Sequence, residues 1–152
     1  MKGRVKQTRY HFKGNSKDDS ILIGNHGDAV IRIEGGFDLS GIVYNPKGTI
    51  TFDIKGNGHV ALRGKCFRII IKKLTGDCTL DLRDVSCKEL SCSSVSSNAV
   101  LITGKVRTIS PILLHDNSVL HITENPVLLN YSASKTAKVI FENTSSEPEL
   151  AR

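Results

Sequence analysis

Apolar and polar residues alternate along this chain in short runs, and the runs recur. Val60-Ala-Leu62 is followed by Leu80-Asp-Leu82, Val100-Leu-Ile102 and Leu120-His-Ile122, each 20 residues after the last. Ile42 and Leu22 extend the second column backwards. A period of two makes each run a strand with both named side chains on one face. Helical spacing fits none of them. Four residues ahead of the first column stand Gly36, Gly56, Gly76, Ser96 and Asp116, all turn formers in phase with the strands. Asn45-Pro46 and Asn125-Pro126, four periods apart, follow the same beat.

Each period has room for two more short strands. Ile50-Thr-Phe52-Asp-Ile54, Ile69-Ile-Ile71, Leu90-Ser-Cys92 and Ile109 to Ile112 form a second phase, and Leu74, Val95 and Leu114 mark a third. A fixed period of this size is the mark of a solenoid, whose repeats bury their apolar faces only by stacking. The pattern predicts an all-β fold, a right-handed single-stranded parallel β-helix of about six turns of about 20 residues. A β-sandwich or up-and-down barrel also has many short strands but gives no reason for them to keep phase. Residues 20–141 form the predicted β-helix domain. Residues 1–19 are a basic tail or cap, and 142–152 a polar tail. The serine-rich stretch 91–98 reads as tight corners, and Pro111 as the start of a strand, where a missing N–H is tolerated.

A strict period of 20 also assigns the outward columns. Ile21, Gly41, Ala61, Asp81, Leu101 and His121 fall between the paired core positions, and Ile23, Val43, Arg63, Arg83, Thr103 and Thr123 fall one further on. This predicts Asp81 beside Arg63 and Arg83 on one flat face, with Arg68 and Lys88 stacked on another. It leaves Ile21, Ile23, Val43 and Leu101 outward and apolar. His121 then lies two turns from Asp81, roughly 10 Å away with Leu101 between, too far for direct proton exchange.

The formal charge of +6 favours acidic partners. Much of the excess lies in Lys2, Arg4, Lys6, Arg9, Lys13 and Lys17. The body interleaves no aromatic residues with its basic ones, which argues against a nucleic-acid partner. No apolar run follows the basic N-terminus as a secretory signal would require, and no stretch is long enough to span a membrane. Localisation therefore reads as cytoplasmic if Met1 is native and exported if a signal has been removed. Cys66, Cys78, Cys87 and Cys92 make no CxxC pair and have no histidines at ligand spacing, so they read as small core residues. Cys87 falls in the column of Phe67, and Cys92 in that of Phe52 and Ile112. No motif asks for a metal or cofactor.

The candidate binding strip is Arg63, Asp81, Arg83, Arg68 and Lys88. It could hold an acidic polymer such as a uronate chain, with Asp77, Asp81 or Asp84 as acid/base or metal ligand. The simpler reading of the same residues, and the preferred one, is an Asp–Arg ladder that neutralises itself on a solvated sheet.

Gly56-Asn-Gly-His-Val-Ala-Leu-Arg-Gly64, Phe67-Arg-Ile-Ile-Ile71, Gly76-Asp-Cys-Thr-Leu-Asp-Leu82 and Ser118-Val-Leu120 resemble the turns of the adhesin-head (GIN-type) domain family, over residues 36–130. That likeness implies an exported, non-catalytic β-helix presenting flat faces to a protein or polysaccharide. A more distant likeness, to bactofilins, rests on polar tails flanking a β-helix without their dense glycine pattern. It implies self-association end to end. The reading from a different class is a lyase or hydrolase acting on an acidic glycan through Asp81. Neither likeness supplies catalytic residues.

Overall fold

The computed structural model describes residues 7–23 and 28–142, and the side chains of residues 9–13 and 28–142. Its strands are β1 (Gln7–Ile23), β2 (Asp28–Thr75), β3 (Cys78–Ser96), β4 (Val100–Leu114), β5 (Val119–Ile122), β6 (Leu128–Ala133) and β7 (Lys138–Phe141). All pair in parallel, in the order β1-β2-β3-β4-β5-β7, with β6 also on β4. The 48 residues of β2 would run about 160 Å if straight. Instead β2 stacks on itself. Gly56 lies against the Gly35 carbonyl and Gly64 against that of Val43, both with positive φ and both where a Cβ would collide with backbone. The result is a parallel β-solenoid of about six coils.

The core is a set of stacked columns. Val60, Leu80, Leu101 and Leu120 follow one another from coil to coil, with Val139 packed at the end, as do Leu74, Val95 and Leu114. Burying each aliphatic side chain stabilises the stack by about 1.5–3 kcal/mol. Cys92 packs between Ile71 and Ile112. All four cysteines are buried and free.

The coils are not uniform. Val60 pairs with Leu80, Leu80 with Leu101 and Leu101 with Leu120, so successive steps are 20, 21 and 19 residues. A one-residue shift moves a strand's side chains to the opposite face. Hence Leu101 is wholly buried, not outward, and Ile102, itself 8 % exposed, stands in register between Asp81 and His121. Val43 is likewise buried while Ile42 is 40 % exposed. The side chains of Ile21 and Ile23 lie outside the described residues. Asn45 is buried and Asn125 exposed, so their shared phase in sequence is not a shared column.

Pro111 lies within β4 rather than at its start. It sits where the pairing slips between Ile109 and Ile112, so the irregularity accommodates its missing N–H. β1 pairs from Gln7, reaching back into the basic stretch 1–19. Residues 1–6 and 143–152 of the two expected tails lie outside the described residues.

Candidate anion-binding groove

The charged strip expected from the sequence separates into pieces. Arg63 pairs in register with Asp84, because Leu82 and Arg83 together face the single residue Leu62. Arg83 turns back onto Asp81, its Nε 3.2 Å from Oδ1, and Asp81 also accepts the Arg83 backbone N–H at 3.1 Å. Arg68 pairs with Glu89 rather than Lys88, at 2.9 Å, and lies over the Phe67 ring at 5.5 Å from its centroid. Asp77 accepts a hydrogen bond from Asn98. His121 forms a 2.9 Å pair with Glu142. The Arg83–Asp81 and Arg68–Glu89 pairs are worth about 0–1 kcal/mol each and cancel charge locally.

Lys88 leaves that strip and joins a groove. Lys65, Lys88, Lys105 and Arg107 line a depression of about 470 Å³ with Ser86, Cys87, Val106, Glu124, Asn125 and Val127. None of the four cations makes an ion pair among the described residues, nor does Glu124. Two outward columns build the groove. Lys65 pairs with Ser86 and Ser86 with Lys105. Cys87 pairs with Val106 and Glu89 with Thr108, which puts Lys88 against Arg107. Arg107 then accepts the Val127 backbone N–H at 2.8 Å.

Alternation explains the outward cations. Cys66, Cys87 and Val106 are buried between them, and burial of these apolar residues turns Lys65, Lys88, Lys105 and Arg107 toward solvent.

The cysteine forming part of the groove floor is buried against a second cysteine. Lys65 opposite Ser86 and Arg68 opposite Glu89 set Cys66 against Cys87, not Cys87 against Phe67. Their mutual hydrogen bond, then burial, pushes the Cys87 thiol far up. Burial raises Cys78 to about 11, helped by Asp77, and Cys92 to about 12. Thiols held this high carry almost no thiolate near neutral pH.

Among the described residues no group of three or more His, Cys, Asp or Glu could hold a metal ion, and no helix is long and apolar enough to cross a membrane.

Sequence reading missed Lys65, Lys105 and Arg107. A signal was present: Lys105-Val-Arg107 is itself a cation–apolar–cation alternation, and Lys65 stands two periods before Lys105. No protein-family model matches the chain, and no match to it was found among solved structures.

Proposed function

We propose that this chain is a non-catalytic β-solenoid binding module, adhesin-like in presenting a flat face, and that the groove of Lys65, Lys88, Lys105 and Arg107 holds an acidic partner. The observation that carries this reading is the contrast in pairing. The groove gathers four cations without a carboxylate partner among the described residues, while Arg68 and Arg83 are paired. Four like charges within one depression repel one another, and an anionic ligand relieves that repulsion.

The test compares binding of a polyuronate at low salt by two variants. Serine at Lys65, Lys88, Lys105 and Arg107 together is expected to cost on the order of 10²-fold in affinity, each contact contributing about 0.2–1 kcal/mol. Serine at the paired Arg68 and Arg83 is expected to cost less than about threefold. Equal losses in the two variants would sink the proposal.

A second reading, self-association, is favoured by the C-terminal end. β6 and β7 have no further strand partner among the described residues. Val127, Leu128, Tyr131, Ile140 and Phe141 are exposed there. Unpaired strand edges with apolar side chains favour pairing with another chain. Light scattering that stays at monomer mass over a hundredfold concentration range would remove this reading. The glycan-cleaving reading has the least support, because the Asp81 carboxylate is engaged by Arg83.

A further inference from the structure

The groove's cations are distributed by coil. Lys65 lies on one coil, Lys88 on the next, and Lys105 with Arg107 on the one after. Neighbouring coils are about 4.8 Å apart, so the unpaired cations cover about 10 Å along the solenoid axis, with at least one on each of three consecutive coils. A small anion reaches one or two of these coils. A polymer carrying charge at close, regular intervals reaches all three, and a pyranose unit advances a glycan by a length comparable to one coil.

The surroundings of the cations suit a sugar chain. Gly64 sits against the Val43 carbonyl, and extending that register by one residue puts Tyr44 on the coil preceding Lys65. Tyr44 is 58 % exposed, so its ring can receive the apolar face of a sugar. Ser86 and Asn125 offer a hydroxyl and an amide to sugar hydroxyls, and Glu124 can accept from hydroxyl donors. Single-stranded nucleic acid is a poorer fit. It needs successive aromatic platforms, and the Phe67 ring is covered by Arg68.

We propose that the groove binds an extended acidic glycan, with one carboxylate per sugar, laid along the solenoid axis from Tyr44 to Arg107. This inference rests on the groove being an anion site and names the ligand it takes.

The probes are oligogalacturonates of one to six sugars, titrated into the full chain by calorimetry at one fixed low ionic strength. Affinity is expected to rise several-fold with each sugar up to three or four, then flatten as the cationic coils are filled. Lys88→Ser should weaken trimers and longer oligomers by about two- to fivefold, as expected for one exposed ion pair. Tyr44→Ala should weaken tetramers and longer oligomers while leaving dimers unchanged.

An affinity independent of length would overturn the inference, as would equal effects of Tyr44→Ala at every length. The same titration with a single-stranded oligonucleotide separates the two levels of the argument. Tighter oligonucleotide binding that depends on Lys65 and Lys105 would refute the glycan and keep the anion site. If no polyanion binds through these residues, both fail. Circular dichroism of each variant checks that the β-signal is intact.

Discussion

Two charged regions of this solenoid are built from the same coils and behave differently. Around Asp81 and Glu89, Arg83 and Arg68 each meet a carboxylate, which cancels their charge locally. Around Ser86 and Val106, four cations share a groove with one carboxylate that pairs with none of them. Composition does not separate the two, since both are rich in Lys and Arg. What separates them is which residue the next coil brings opposite. Net charge in a patch therefore says little about binding until register is known.

The register behind that contrast can be tested at Thr103. This residue is wholly buried in the column between Leu82 and Ile122, and its Oγ1 has no hydrogen-bond partner among the described residues. Thr103→Val keeps the shape and removes an unsatisfied hydroxyl. It should stabilise the fold by about 1–2 kcal/mol in urea unfolding, with polyanion affinity unchanged. In the strict 20-residue phase Thr103 would face solvent, and the same substitution would be neutral or slightly destabilising. That result would mean the assignment of the coil at Leu101 is wrong.

A smaller change should blur the contrast from the other side. Glu89→Gln removes the carboxylate from Arg68. Stability should fall by less than about 1 kcal/mol, because the pair is exposed. Polyanion affinity at low salt should rise about two- to threefold as a new unpaired cation appears, and the gain should fade with added salt. No change in affinity would mean that unpaired charge alone does not attract the ligand.

The smallest effect is expected at Glu34, a third neutralised position. Its carboxyl is held below the ordinary value of 4.5, first by the hydrogen bond from His11 and then by Arg32. A depressed folded-state pKa gives stability that is present above the unfolded value and is lost as pH falls through the folded one. His11→Ala should move the Glu34 midpoint back toward 4.5 in an NMR titration. A midpoint that does not move would assign the shift to Arg32 instead.

Much of the fold was legible in the sequence because a solenoid repeats one physical problem. Each coil must bury a short apolar strand and turn corners, so Val60, Leu80 and Leu120 recur with turn formers in phase. The candidate site was less legible. Only Lys88 of the five residues expected on a charged strip lies in the groove. A strict period set Lys88 beside Arg68, whereas the fold sets Glu89 there.

The sequence by itself determined the solenoid, its mean period near 20 residues and its aliphatic interior, since these follow from apolar alternation summed over many coils. Only the tertiary structure decided the steps of 21 and 19. They follow from how each corner closes over the one before: Leu82 and Arg83 face Leu62, and Gly104 alone spans the gap from Thr103 to Lys105 where β3 uses three residues between Leu82 and Ser86. The two deviations cancel over two coils, so they leave the mean period intact. On the coil between them they shift every partner by one residue. That single shift buries Leu101, strands the Thr103 hydroxyl, and moves Lys88 from beside Arg68 to beside Arg107.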